Sequence, residues 1–152
     1  IFFRILWHTM SCAQRWVLMP KLCWFFYFLH IGFFQPFGPV FLKDKAFTAR
    51  EIGVINCSLP LSILVGAPLW ALLVDATNMP RGVLCVTVLL GNCILFSINY
   101  MESKMSIASC YFFYYFLIAG NLPTLDRCTM GYLKRIGLPD AYGTQRTFGA
   151  LG

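Results

Sequence analysis

Charged residues are scarce in this sequence, and their scarcity excludes an ordinary soluble domain. Asp, Glu, Lys and Arg make up 12% of its 152 residues, whereas a globular domain has about 25%. Hydrophobic residues reach 59%. A chain of this length buries only about two thirds of its unfolded surface in water. The apolar surplus therefore indicates a protein that lies in a lipid bilayer.

Recognisable patterns for metal or catalytic chemistry are also missing. The seven cysteines form no CxxC pair and have no matching histidine spacing, and buried cysteine usually acts as a small hydrophobe. No Ser/His/Asp or paired-histidine set accompanies Asp126, Arg127 and His30. We therefore expect no metal, no cofactor and no enzymatic activity. The formal charge of +6 is interpreted as a membrane topology signal rather than as a nucleic-acid site.

Four uncharged runs divide the sequence, at 22–42, 52–74, 82–101 and 106–125. Each holds about 20 residues, which as a helix spans a hydrocarbon core of roughly 30 Å. A helix is required because backbone polar groups find no water inside a bilayer. The sequence predicts an all-α, multi-pass membrane protein. Residues 1–20 are predicted as a cytoplasmic or interfacial segment and 21–152 as the membrane unit.

The basic residues favour a cytoplasmic N-terminus, since cytoplasmic loops carry an excess of Lys and Arg. In that orientation the outer loops hold fewer basic residues than the inner segments. The outer ones are Lys43, Lys45, Arg50 and Lys104, and the inner ones are Arg4, Arg15, Lys21, Arg81, Arg127, Lys134, Arg135 and Arg146. We expect Arg127 to extend to the lipid headgroups, because it points about 100° away from its neighbour Asp126.

The first run contains two prolines, Pro36 and Pro39. Each removes a backbone donor and presses on the preceding turn, which predicts a kink near Gln35. Kinked membrane helices persist where protein or a water-filled cavity receives the freed carbonyls. His30 and Gln35 are therefore candidates to line a cavity, and packing geometry alone is the alternative.

Residues 66–81, GAPLWALLVDATNMPR, resemble the signature loop after the second helix of the major facilitator superfamily. Ala71 holds its small position, Asp75 its acid, Asn78 its glycine turn position and Arg81 its base. A small residue allows close helix approach, Asn tolerates a left-handed turn, and Asp75 could accept donors at a neighbouring helix N-terminus. The departures are Ala71 and Asn78 in place of glycine, and Pro80 in place of a second base. The resemblance implies a gating role for this loop.

A second match lies downstream, in PTLD at 123–126 and YGTQRTFGALG from Tyr142. These segments look like the fourth and fifth helices of lactose permease and its relatives, and GAPLW is more similar to the major facilitator associated domain proteins. The resemblance covers 21–152. It implies the first four helices and the start of the fifth of a twelve-helix transporter. The chain begins at Ile1 rather than Met, and we expect an N-terminal fragment whose partner is the missing C-terminal half.

The resemblance implies transport of a small polar solute by alternating access, such as a sugar, an oligosaccharide or a nucleoside, with protons as a coupling partner. By the same resemblance, Asp126 and Arg146 contact the solute, and His30 and Gln35 are further candidates. A carboxylate within a membrane helix costs roughly 2.5 to 3.5 kcal/mol and normally has a partner or a function. A structural ion pair is the alternative for Asp126. A nontransporting receptor or scaffold, and a membrane enzyme, are the alternatives for the protein.

Overall fold

A computed structural model describes residues 17–152, and all its regular structure within that range is helical. The α-helices are α1 (Leu18–Asp44), α2 (Ala49–Thr77), α3 (Pro80–Ile98), α4 (Lys104–Ile118), α5 (Asn121–Arg135) and the short α6 (Tyr142–Thr147). Two 3-10 turns, Pro139–Ala141 and Phe148–Leu151, flank α6. The predicted all-α fold is confirmed.

Within the described residues, four stretches are long and apolar enough to cross a membrane. They are Leu18–Asp44, Ala49–Thr77, Pro80–Ile98 and Lys104–Arg135, the last comprising α4 and α5. The four predicted spans are therefore confirmed. The first helix already begins at Leu18, ahead of the predicted boundary at residue 20. Because residues 1–16 lie outside the described residues, their interfacial or cytoplasmic role stays a prediction.

Helix α1 continues through Pro36 and Pro39. A proline inside a helix has no N–H to donate to the carbonyl four residues before it. The carbonyls of Gly32 and Gln35 therefore lack their usual helical donor. The chain also divides into two compact units between Gln35 and Pro36. The predicted kink thus coincides with a unit boundary, although the bend itself stays a prediction.

The first unit consists of residues 17–35 together with Thr129–Gly152, and the second is Pro36–Cys128. In the second unit α4 packs against both α2 and α3. Its buried face carries Ile107, Tyr111, Tyr114 and Tyr115. In the first unit Trp24 and Leu133 are fully buried.

Helix α2 has well-defined ends. At its N-terminus the amide of Thr48 donates to the carboxylate of Glu51 at 2.7 Å, and the amide of Glu51 donates to the Thr48 hydroxyl at 3.3 Å. This capping box satisfies two backbone donors that the first turn leaves open. At its C-terminus Asn78 adopts the left-handed conformation, with φ 53 and ψ 22, and its amide bonds the Val74 carbonyl. The left-handed turn predicted for Asn78 is confirmed.

Candidate functional site

The acid of the signature loop, Asp75, lies in the last turn of α2 and forms an ion pair with Arg127 of α5. The Arg127 guanidinium Nη1 donates to the Asp75 carboxylate Oδ1. Both side chains are well exposed, so the pair lies at the rim of the second unit rather than in its core. Arg127 therefore has a carboxylate partner on α2 that the sequence analysis did not foresee, and its extension to the lipid headgroups stays a prediction.

The remaining loop residues surround the turn between α2 and α3. Asn78 makes the turn, and Arg81 is exposed in the first turn of α3. Ala71 is also exposed, and its predicted packing role stays a prediction. A small residue that does allow close packing lies earlier in α2, at Gly66, where a Cβ atom would lie 3.0 Å from the Cβ of Ala119.

Two of the predicted solute-binding residues lie on the part of α1 that belongs to the first unit. His30 is half-buried and stacks on Phe34, with ring centroids 6.2 Å apart and planes within 7°. Gln35 is exposed. Their contact with a solute stays a prediction.

Arg146 of α6 lies in the first unit and rests on an aromatic support. Its guanidinium carbon is 5.6 Å from the ring centroid of Trp24, and its Nη1 donates to the Tyr142 hydroxyl at 3.5 Å. The Trp24 indole in turn donates to the Thr129 hydroxyl at 3.2 Å and stacks on Phe28. Tyr142 precedes Arg146 by one helical turn, a spacing that could have suggested this contact. No sequence signal pairs Trp24 with Arg146.

Asp126 is half-buried on α5, in the second unit. Because Asp126 and Arg146 belong to different units, their predicted partnership stays a prediction. Within residues 17–152 no group of three or more His, Cys, Asp or Glu side chains could hold a metal ion.

The sequence analysis missed a buried polar contact between α3 and α5. The Thr87 hydroxyl donates to the Asn121 side-chain oxygen at 2.6 Å, and the two residues are 1% and 3% exposed. A hydrogen bond in such surroundings is costly to leave unmade. It therefore fixes the start of α5 against α3.

These features together define a multi-pass helical membrane protein. A left-handed turn at Asn78 joins α2 to α3, and an exposed ion pair joins Asp75 to Arg127. Over residues 17–152 the chain matches the MFS_1 like family. It therefore belongs to this family of the major facilitator superfamily, whose general function is membrane transport. No curated protein and no solved structure matches the chain.

Proposed function

We propose that this chain forms the first four spans and the start of the fifth of a twelve-helix transporter that moves a small polar solute by alternating access. The membership of 17–152 in a transporter family supports this proposal. In such proteins two halves rock around a site near the bilayer midplane. A C-terminal half of the same transporter would complete the solute cavity, and the N-terminus would be cytoplasmic.

The ion pair between Asp75 and Arg127 is the observation that supports a gating role for the signature loop. It joins the last turn of α2 to α5, so these two helices would move as one body at the cytoplasmic rim. A pair this exposed contributes little to stability in a single state. Its effect would lie in the relative free energy of two states that differ in this contact.

Arg146 supports the solute site. A guanidinium fork can bind two acceptors at once, such as adjacent hydroxyls of a sugar or nucleoside. The buried ring of Trp24 beneath it would keep the fork in a fixed orientation. Asp126 would be the second contact with the solute, and His30 and Gln35 would line the cavity. Protons would be the coupling partner.

The test is uptake by the full-length protein in proteoliposomes, screened with labelled sugars, oligosaccharides and nucleosides. Asp75→Asn should slow turnover about tenfold and leave solute affinity nearly unchanged, since gating interactions need not touch the solute. Asp140→Asn is the matched control, because Asp140 is an exposed acid in a 3-10 turn.

A large loss of affinity in Asp75→Asn, at normal expression, would refute the gating role. A solute that stabilises the protein but is never taken up would favour the receptor or scaffold alternative.

A further inference from the structure

Two basic side chains of the first unit lie on aromatic rings at one contact between helices. Lys21 is in the first turn of α1, and its ammonium Nζ lies 4.9 Å from the ring centroid of Phe148, in the 3-10 turn after α6. The Arg146 guanidinium of α6 lies over the ring of Trp24 on α1. Each segment therefore supplies one cation and one ring. Because Lys21 and Trp24 are three residues apart on one helix, the two cations belong to the same contact.

Glycines allow this contact to be close. A Cβ atom at Gly149 would collide with the ring of Phe28, and one at Gly152 would collide with the Phe25 carbonyl oxygen. Phe28 in turn stacks on Trp24, with ring centroids 5.9 Å apart and planes 20° apart. The ring beneath Arg146 is therefore fixed by the packing of α1 on the segment that follows α6.

The first unit has too few acids to balance these cations. Its described residues include four basic side chains, Lys21, Lys134, Arg135 and Arg146, and one acid, Asp140. Among them neither Lys21 nor Arg146 has a carboxylate partner. Aromatic faces attract a cation, but they offer no oxygen acceptor to its N–H groups. Both cations therefore keep donors for a ligand.

The charge and the burial of the two cations indicate what such a ligand carries. Lys21 is half-buried in an apolar span, and an ionisable group within a membrane normally has a partner or a function. A neutral sugar would leave Lys21 without a counter-ion. A phosphate monoester has a charge of about −1.5 to −2 at pH 7 and several strong acceptor oxygens, which matches two cations. The guanidinium fork of Arg146 can bind two of these oxygens, and the ammonium of Lys21 adds a point charge.

We propose that Lys21 and Arg146 together bind the phosphate of a monoester. The phosphate belongs either to a soluble solute or to an anionic lipid, since Lys21 lies at one end of a span, near the depth of the lipid headgroups. For a soluble solute the inference rests on the proposed transport function and narrows its substrate class to phosphorylated sugars or nucleotides.

Binding is measured by thermal unfolding of the purified full-length protein in detergent. Glycerol 3-phosphate is the probe for a soluble ester, with sodium chloride at equal ionic strength as the reference, because both screen charges equally. Phosphatidic acid in mixed micelles is the probe for a lipid, with phosphatidylcholine as the reference. Stabilisation by either probe supports the proposal, and the probe that acts at the lower concentration identifies the source. Stabilisation by neither probe would overturn it.

Three variants test the residues. Lys21→Gln and Arg146→Gln should each raise the Kd of the effective probe about tenfold, as expected for the loss of a charge-assisted hydrogen bond. Lys21→Arg keeps the cation and should restore binding to within about threefold of the unaltered protein. The matched control is Lys134→Gln, which removes an exposed base of the same unit and should leave the Kd unchanged. An equal loss of affinity in the control would indicate general attraction by positive charge and overturn the proposal.

If the variants fail to accumulate, the unaltered protein provides the test. The effective probe, at a concentration that occupies most sites, should slow acetylation of Lys21 by acetic anhydride about fivefold and leave that of Lys134 unchanged, as measured by mass spectrometry. Equal protection of the two lysines would refute the site. Uptake of a neutral solute without phosphate binding would overturn this proposal alone, whereas phosphate binding without any uptake would refute transport and leave the site standing.

Discussion

Two arginines, Arg127 and Arg146, have different surroundings and therefore different expected roles. Arg127 pairs with a carboxylate at an exposed rim. Arg146 lies over the face of a fully buried tryptophan, where a guanidinium gains about 0.5 to 2 kcal/mol from the ring quadrupole. An arginine restrained in this way loses less side-chain entropy when it binds a solute. Its surroundings are thus suited to recognition.

At Arg146, retention of charge should not be sufficient for binding. Arg146→Lys should weaken solute affinity about tenfold, because an ammonium cannot reproduce a two-pronged hydrogen bond. Asp126→Glu should be better tolerated than Asp126→Ala. Solute affinity and thermal stability of the full-length protein are the measurements, and Arg135→Lys, at the exposed end of α5, is the matched control.

The alternative for these two residues is a structural ion pair, and it predicts a different result. Each single neutralisation would then lower stability, and the double neutralisation would restore much of that stability together with normal affinity. Normal solute affinity in the double variant would therefore refute solute contact by Asp126 and Arg146.

At the scale of elements, the loops at the other end of the second unit are joined by two lysines. Lys45, after α1, donates to the carbonyls of Asn99 and Met101 after α3, each at 3.3 Å. Lys104 at the start of α4 pairs with Glu51 of α2 at 3.1 Å and lies over the ring of Phe47. These contacts connect the loop before α2 with the loop before α4.

Removal of the Lys45 ammonium should loosen this end of the unit. Lys45→Met should lower the free energy of unfolding by about 1 kcal/mol, because two carbonyls lose a charged donor. Thermal unfolding in detergent measures the effect. Lys43→Met is the control, since Lys43 is an exposed neighbour at the end of α1. Equal melting temperatures for the two variants would contradict the proposed role of Lys45.

At the scale of the whole molecule, the distribution of basic residues predicts an orientation in the membrane with the N-terminus on the cytoplasmic side. Asp44→Cys and Lys134→Cys, each in a cysteine-free version of the full-length protein, should be labelled from opposite sides by a membrane-impermeant maleimide. Glu102→Cys should behave like Asp44→Cys, because both positions belong to the predicted outer loops. Equal accessibility of positions 44 and 134 would exclude the predicted topology.

The sequence was sufficient to predict the four spans and the turn at Asn78. Spans are specified by hydrophobic length, since the bilayer requires about 20 apolar residues in a helix. The left-handed turn is specified locally, because few residue types tolerate a positive φ. The signature loop and the PTLD and YGTQR segments were also sufficient to indicate the superfamily, which the match over residues 17–152 confirms.

The contacts that connect distant segments were decided only by the tertiary structure. Asp75 and Arg127 are 52 positions apart, and Trp70 reaches a carbonyl 46 positions away. In a membrane segment almost every residue is apolar, so hydrophobic periodicity does not reveal which face of a helix meets which neighbour. The division of the fourth span between Ile118 and Asn121 has a local signal in Pro123, which has no N–H to donate to the Ala119 carbonyl, but the apolar run 106–125 does not reveal which helix packs there. Sequence determines which segments span the membrane, whereas packing determines which of their polar groups meet.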